Sequence, residues 1–329
     1  MADAPAPSLI EDLTLVLPPD ALPGPSVTDT SAGEDDLAAA AEYLVNAACP
    51  LITGTEALTM EGVQVAVELA ERLRARLTLS GPTPPRHPRQ CNCTLGEALD
   101  RPLAVTLAVD DDHPVLKRLA DRGVERIKLS ADLPAIRDLG QALRDRRDDH
   151  PLAGRLRKAG RASVVTGPDL DPRLLECVHD LCVHAAQAVR LHVLAPGRPA
   201  TNLNQRGARE VITWQTGLDP AHHGIDFADG GPRPGPDAPT LIERNLADVI
   251  LDGAGRISSA DNTTIIRLGP ERGKADLWLP SAGLAPGVAG RVSRFDGVVL
   301  WLTDDPTTAP PPDDLTHLTR LLENVKELT

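Results

Sequence analysis

Residues 103–109 read LAVTLAV, a short and almost wholly apolar run that begins an alternation of strand and helix patterns. A helical pattern follows from His113 to Arg122, then a strand from Val124 to Leu129 and a second helix from Asp132 to Arg146. Strands buried on both faces lack the polar–apolar alternation of half-exposed strands. The stretch therefore predicts an α/β fold with a mainly parallel sheet that helices cover on both faces.

The same alternation extends in both directions from this stretch. Upstream, a helix through Leu37 and Leu44 precedes a strand at 50–54 and a long helix from Met60 to Arg76. Downstream, the pattern predicts strands at 162–165, 191–194, 248–251, 264–267 and 276–279, a helix at 172–189 and a terminal helix at 314–328. The Asp296-Gly297 pair predicts a hairpin turn.

Composition limits the classes of function. The 329 residues suffice for one large or two medium domains. A formal net charge of -13 argues against nucleic-acid binding, which needs clustered Lys and Arg. The chain has neither an 18-residue apolar run nor a signal-peptide pattern, so we expect a cytoplasmic protein. The five cysteines have no disulfide-framework spacing and are expected to be reduced.

Two cysteine-containing segments suggest metal binding, and each has a simpler interpretation. Cys91 and Cys93 provide two thiols where a zinc or iron–sulfur site needs about four ligands. The pairs Cys177/His179 and Cys182/His184 are five residues apart, which is about 500° around a helix. The two pairs therefore fall on different faces, and we interpret Cys182 as part of a buried face with Val178, Ala185 and Val189.

Motifs for acid–base, nucleotide or hydrolase chemistry are weak. His222 and His223 lie close to Asp226 in the sequence, an arrangement that suits acid–base chemistry or zinc binding. We interpret this pair as an ordinary loop feature. The chain contains no Gly-x-Gly-x-x-Gly fingerprint, no P-loop and no Gly-x-Ser-x-Gly elbow. The commonest sequence signs of a dinucleotide enzyme, an NTPase or an α/β-hydrolase are thus absent.

Two groups of residues in the C-terminal half carry a family resemblance. The first group comprises Trp214-Gln215-Thr216-Gly217, Ile225-Asp226-Phe227 and Gly231-Pro232-Arg233, and the second comprises Ala275–Pro280 (ADLWLP) and Arg294–Val298 (RFDGV). In this order they resemble the B subunit of formylmethanofuran dehydrogenase, a member of the molybdopterin oxidoreductase superfamily. The resemblance spans roughly residues 37 to 302. It implies two Rossmann-like lobes with mainly parallel sheets, without the iron–sulfur domain of that superfamily.

Metal-dependent members of that family carry a Cys-x-x-Cys-x-x-x-Cys motif and a later Cys or selenocysteine that binds the metal. This chain has no such cluster motif, and Cys49 is not a credible substitute for the metal ligand. The resemblance is therefore to the metal-free B subunit of the bacterial formyltransferase/hydrolase complex. It implies a non-catalytic structural subunit, without cofactor or metal, in tetrahydromethanopterin- and methanofuran-dependent conversion of formaldehyde to formate.

The same resemblance implies the partners. They are an amidohydrolase-like A subunit with a zinc site, a C subunit, and a D subunit that acts as the formyltransferase. Five of the six aromatic residues, Trp214, Phe227, Trp278, Phe295 and Trp301, lie in the matching C-terminal half. We interpret them as packing or subunit-contact residues, because large amphipathic rings commonly anchor interfaces.

Two alternatives stay open. A redox-active subunit would bind a molybdopterin-type cofactor in a cleft between the lobes, and the candidate residues are Asn202, Asn204, Trp214, Gln215 and Thr216. A free-standing α/β binding protein would have inherited only the fold, since one fold serves many functions.

The expected domain organisation has four parts. A flexible segment at 1–34 precedes a main α/β lobe formed by 35–97 and 158–305, into which a smaller α/β lobe at 98–157 is inserted. A linker and the C-terminal helix occupy 306–329. Two sequential lobes that meet near residue 158 are the alternative.

Overall fold

The structure is a computed structural model that describes residues 33–80, 94–111, 113–167, 170–194, 204–220, 223–257, 262–281, 284, 290–293, 299–302 and 313–329. The chain divides into two compact units. The first unit comprises Met1–Pro85, Thr201–Arg294 and Val299–Thr329, and the second comprises Arg86–Ala200 and Phe295–Val298. Each unit has its own mainly parallel sheet, as the sequence predicts.

The described elements are numbered along the chain. The helices are α1 (Glu34–Asn46), α2 (Met60–Leu73), α3 (Leu95–Leu99), α4 (Pro114–Asp121), α5 (Leu133–Arg144), α6 (Pro151–Ala159), α7 (Pro172–Ala185), α8 (Gln205–Thr216), α9 (Ala238–Glu243) and α10 (Asp314–Leu328). The strands are β1 (Pro50–Thr53), β2 (Arg76–Leu77), β3 (Leu103–Leu107), β4 (Glu125–Lys128), β5 (Arg161–Thr166), β6 (Arg190–Leu194), β7 (Gly224–Asp226), β8 (Arg233–Gly235), β9 (Val249–Asp252), β10 (Thr264–Gly269), β11 (Leu277–Pro280), β12 (Gly290–Ser293) and β13 (Val299–Leu302).

The first unit is built on a seven-stranded sheet with the order β11-β10-β9-β1-β2-β7-β8. The five strands from β11 to β2 run parallel, and β7 and β8 extend one edge in antiparallel fashion. All four residues of β1 and of β9 are buried, which explains why both strands read as apolar runs. The strand order reverses at β1. The next strand along the chain, β2, lies on one side of β1, and β9 lies on the other.

Four helices of the first unit share one apolar core with the sheet. The helices α1, α2, α8 and α10 contribute buried residues, such as Leu37, Val63, Ile212 and Leu321, to the same cluster. The start of α2 is fixed by Thr59, whose hydroxyl accepts a hydrogen bond from the backbone nitrogen of Gly62 at 3.1 Å. The carboxylate of Asp313 caps α10 in the same way, at 2.6 Å from the nitrogen of Thr316.

The second unit is built on a four-stranded parallel sheet with the order β4-β3-β5-β6. Every residue of β3 is buried, and its core neighbours come from α5, α6 and α7. Asp132 caps α5 through the nitrogen of Ala135 at 2.8 Å. The apolar run at 103–109 therefore is the central strand of a doubly covered sheet, as predicted, although the strand ends at Leu107.

The boundary between the units differs from the predicted one. We expected residues 158–200 in the main lobe, whereas β5 pairs with β3, and β6 pairs with β5, in the sheet of the second unit. The second unit accordingly runs from Arg86 to Ala200 rather than from 98 to 157. Parallel strands that are hydrogen bonded in one sheet belong to one unit, and this membership decides the boundary.

Several predicted elements are confirmed and others were missed. The strands β12 and β13 pair antiparallel, as expected for the hairpin, and its turn at Asp296-Gly297 lies outside the described residues. The helix α6 and the short strands β2, β7 and β8 were not predicted from the sequence. None of the helices in the described part of the chain combines the length and apolar character that a membrane span requires.

Candidate functional site

Open α/β folds usually bind ligands at the carboxyl ends of their parallel strands, beside the point at which the strand order reverses. In this protein the loops after β1 and β9 meet at that place. Gly54 has a left-handed backbone, with φ of 74°, and a Cβ atom on it would lie 2.3 Å from the backbone nitrogen of Ala254. The nitrogen of Gly253 also donates a hydrogen bond to the oxygen of Thr53 at 3.0 Å. Backbone contact therefore fills the crevice between these two loops.

Asp252, the last residue of β9, is buried and immediately precedes the loop that forms one side of this crevice. Its Oδ1 accepts hydrogen bonds from the nitrogens of Ala254 and Gly255 at 3.1 and 3.0 Å, and its Oδ2 accepts from Ile257 at 3.0 Å. Oδ2 also lies 3.5 Å from a guanidinium nitrogen of buried Arg267. Because protein groups occupy both oxygens, the carboxylate serves to hold its own loop.

Asn204, one of the five cofactor candidates, lies at the start of α8 and is completely buried. Its Nδ2 donates to the carbonyl of Leu58 at 2.8 Å, and its Oδ1 accepts from the nitrogen of Ser293 at 2.9 Å. A Cβ atom on Gly207 would lie 1.9 Å from that Oδ1, so glycine is required there. The side chain ties α8 to the loop before α2 and to β12, and its amide is engaged by protein.

Trp214, Gln215 and Thr216 occupy the last turn of α8. The helix ends at Gly217, whose φ of 74° places it in the left-handed region that favours glycine. The hydroxyl of Thr216 donates to the oxygen of Ile212 at 2.7 Å and accepts from the nitrogen of Leu218 at 3.1 Å. Trp214 is 76% exposed, the highest value for a large hydrophobic side chain in the described part of the chain.

A shallow depression of about 480 Å³ adjoins this turn, and we call it the Trp214 depression. Its lining comprises Val67, Glu68 and Glu71 from α2, and Trp214, Gln215 and Thr216 from α8. Phe227 and Pro232 complete it. Phe227 is buried and its nitrogen donates to the oxygen of Ala75 at 3.1 Å, so this part of the lining is firmly held. The depression thus brings together residues from all three segments of the first resemblance group.

The five cofactor candidates do not form one cluster. Asn202 lies outside the described residues. Asn204 and Trp214 lie at opposite ends of α8, about 15 Å apart at 1.5 Å per residue. Only Trp214, Gln215 and Thr216 share a surface. The amide of Asn204 is engaged by protein groups, whereas Trp214, Gln215 and Thr216 line a separate depression at the other end of α8.

The described cysteines that were considered as metal ligands are held by packing and hydrogen bonds within the protein. Burial raises the pKa of the Cys49 thiol, and its sulfur accepts a hydrogen bond from Arg76, so it is a protonated thiol at neutral pH. Cys182 packs in the core of the second unit with Val178, Ala185 and Val189, which confirms the predicted buried face. Cys91 and Cys93 lie outside the described residues.

The histidine candidates are likewise dispersed. The Nδ1 of exposed His184 lies 2.6 Å from the oxygen of Asp180. Asp226 faces Arg76 at 3.6 Å and accepts from the nitrogen of Ala228 at 2.9 Å, while His222 lies outside the described residues. Within the described ranges, no three His, Cys, Asp or Glu side chains are placed to share a metal ion.

A buried polar cluster at the start of α10 was not predicted from the sequence. Asp314 is fully buried, its carboxylate accepts a hydrogen bond from Ser281, and burial raises its pKa to about 7. The neighbouring His317 lies 2.8 Å, through Nε2, from the oxygen of Pro280, and burial lowers the pKa of this imidazole. The spacing Asp-x-x-His on a helix that begins with a capping Asp was the available signal. Both side chains attach α10 to the end of β11.

The remaining aromatic candidates divide into buried and exposed groups. The indole nitrogen of Trp278 donates to the oxygen of Gly269 at 2.9 Å, and Phe227 is buried, so these two are packing residues. Trp214 alone among the described aromatic side chains of this set is strongly exposed. Phe295 and the side chain of Trp301 lie outside the part of the chain whose side chains are described.

Comparison with known proteins supports the fold. No protein-family profile and no curated protein matches the chain. Among solved structures, the chain is similar to a chain in the crystal structure of the formyltransferase/hydrolase complex from Methylorubrum extorquens in complex with methylofuran. The TM-score is 0.65 at 19% sequence identity, and the match covers 89% of this chain and 96% of the other. The two proteins therefore share the same α/β fold over nearly their whole lengths.

Proposed function

We propose that this protein is a non-catalytic, B-type structural subunit of a formyltransferase/hydrolase complex in one-carbon metabolism. The observation that carries the proposal is the fold match over 96% of a chain from such a complex. The residue groups around Trp214 and Trp278, which resemble the B subunit family, favour the same subunit. The partners would be an amidohydrolase-like A subunit, a C subunit and a formyltransferase D subunit.

The surroundings of the candidate residues support a structural role. The loops after β1 and β9 are in backbone contact, and the carboxylate of Asp252 is engaged by backbone nitrogens and Arg267. Asn204 connects α8 to two other parts of the first unit. These polar groups make contacts that stabilise the fold, so they are not available to bind a pterin nucleotide at the carboxyl end of this sheet.

Native purification with an affinity tag on this chain tests the proposal. We expect a stable complex that contains a formyltransferase and a zinc-dependent hydrolase, with formyl hydrolysis in the complex and none in the isolated chain. Elemental analysis should give less than a tenth of an equivalent of molybdenum or tungsten per chain. A chain that purifies alone, or that carries stoichiometric molybdenum, tungsten or pterin, contradicts the proposal, and the second result favours the redox-active alternative.

A further inference from the structure

The exposure of Trp214 is unusual for a residue with such a large apolar surface. Three quarters of its side chain faces solvent, whereas Phe227 beside it is buried. Tryptophan is among the residues that contribute most to protein–protein binding energy, because its ring buries a large area at low cost in conformational entropy. An exposed indole at the rim of a depression therefore indicates a contact surface.

The turn that carries Trp214 is held firmly in place. Arg209, five residues earlier on α8, forms an ion pair with Asp219 just beyond the helix, with Nε 2.7 Å from Oδ1. Thr216 closes the last turn through its two hydrogen bonds. A side chain on such a braced helix end loses little freedom when a partner binds, which favours affinity.

The charge around the Trp214 depression is negative. Glu68 and Glu71 line it from α2, and Lys326 pairs with Glu68 at 2.8 Å. The Glu71 side chain makes no ion pair or hydrogen bond with the other described residues. A carboxylate next to an exposed indole suits a cation, which gains both an ion pair and a cation–π contact.

The charge of the whole first unit points in the same direction. Its sequence contains 30 acidic and 15 basic residues, a net charge of -15, whereas the second unit contains 17 acidic and 19 basic residues, a net charge of +2. A second copy of the first unit would bring a like charge to the depression. Residues 1–32 contain no Lys or Arg and supply no cation either.

We propose that the Trp214 depression is the docking point for an Arg or Lys side chain of a partner protein, stacked on the indole and paired with Glu71. This inference rests on the proposed function, because it assigns a surface of this chain to one of its subunit contacts. The occupant is identified by its chemistry, a basic protein segment, rather than by a particular subunit.

The test measures binding of the purified chain to the proteins that co-purify with it. Titration calorimetry at about 50 and 300 mM NaCl would compare the wild type with Trp214→Ala and Glu71→Gln. The control variants are Tyr43→Ala and Glu42→Gln, which change an exposed aromatic residue and an exposed carboxylate on α1 of the same unit. Thermal unfolding of every variant verifies that it is folded.

We expect Trp214→Ala to weaken binding at least tenfold at both salt concentrations. Glu71→Gln should weaken it about threefold at low salt and little at high salt, because salt screens exposed charges. The controls should stay within twofold of the wild type.

Two results overturn the inference while leaving the proposed function intact. One is unchanged partner binding by Trp214→Ala, and the other is a wild-type homodimer that this substitution dissociates, which identifies a second copy as the occupant. A wild type that binds no partner defeats the proposed function itself.

Discussion

At the scale of single residues, Gly54 and Gly217 have the same φ of 74° but different surroundings. A Cβ atom on Gly54 would meet the backbone of Ala254, whereas one on Gly217 would meet nothing within 4 Å. We expect Gly217→Ala to lower the free energy of unfolding by about 1 kcal/mol through backbone strain alone. Gly54→Ala should cost about 1–3 kcal/mol more, because the loops after β1 and β9 must separate.

Urea unfolding followed by tryptophan fluorescence measures this difference. All three tryptophans belong to the first unit, so their signal reports on the part of the chain that contains both glycines. Equal losses for the two variants would show that the crevice beside β1 has room for a side chain. That result would also weaken the argument against a ligand at this edge.

Asp314 gives a pH-dependent prediction. Burial raises its pKa from an ordinary value of 3.8 to about 7, so the folded protein holds a proton that the unfolded chain releases between about pH 4 and pH 7. The free energy of unfolding therefore falls as the pH rises through this window, by at most about 4 kcal/mol. Asparagine cannot ionise and keeps an oxygen that can accept the hydrogen bond from Ser281.

We therefore expect Asp314→Asn to be more stable than the wild type at pH 8 and to approach it near pH 4. Chemical denaturation across this range measures the difference curve. His317, whose pKa is lowered, favours unfolding as the pH falls, and this contribution is present in both proteins and cancels. Asp313→Asn, which alters the capping residue of α10, is the control and should retain most of the pH dependence of the free energy of unfolding. Parallel curves for wild type and Asp314→Asn would contradict the assignment.

The residue scale also explains why the candidate site was only partly predicted. The first resemblance group includes Trp214, Gln215 and Thr216, and the structure places these three on one surface. The sequence pattern did not reveal that a helix separates Asn204 from them, because α8 has several charged residues and few large apolar ones. Exposure itself, as for Trp214, depends on neighbours from distant parts of the chain and cannot be read from the residue.

At the scale of elements, the C-terminal helix α10 completes the apolar core of the first unit. Leu321 is fully buried in the cluster that α1 and α2 share, whereas Leu328 on the same helix is half exposed. We expect Leu321→Ala to lower the free energy of unfolding by about 2–5 kcal/mol, because it removes buried surface and leaves a cavity. Leu328→Ala should change it by less than about 0.5 kcal/mol.

Guanidinium unfolding of both variants, followed by tryptophan fluorescence, tests the role of α10. A small loss for Leu321→Ala would indicate that the helix contributes little to the unit. Both variants replace Leu by Ala in the same helix, so the residue types have the same helix propensities. The two variants differ in the burial of the side chain that is removed.

Strands were predicted from the sequence where burial of both faces produces a run of apolar residues. The strands β1, β3, β9 and β10 are short apolar runs because both of their faces are covered. The strands β2, β7 and β8 have only two or three residues each, and tertiary pairing rather than local pattern creates them. The helix α6 was missed because it is short and three of its nine residues, Arg155, Arg157 and Lys158, are charged.

At the scale of the whole molecule, the sequence predicted two α/β units but misplaced the boundary between them. Apolar runs show that strands are buried without showing which sheet contains them. The strands β5 and β6 could have joined either sheet on pattern alone, and hydrogen bonds place both beside β3 in the second unit. The order of strands in a sheet is a long-range property, which short segments do not encode.

This assignment predicts which fragment of the chain folds alone. The described residues of the apolar cluster around β3 all lie between Leu103 and Val193, within the range 86–200. A fragment of residues 86–200 should therefore unfold cooperatively on heating and show mixed α/β circular dichroism. A fragment of residues 98–157 lacks β5, α7 and β6, half of the strands of the sheet, and should remain unfolded. Cooperative folding of the shorter fragment would restore the predicted boundary, and failure of both would mean that the second unit needs the first.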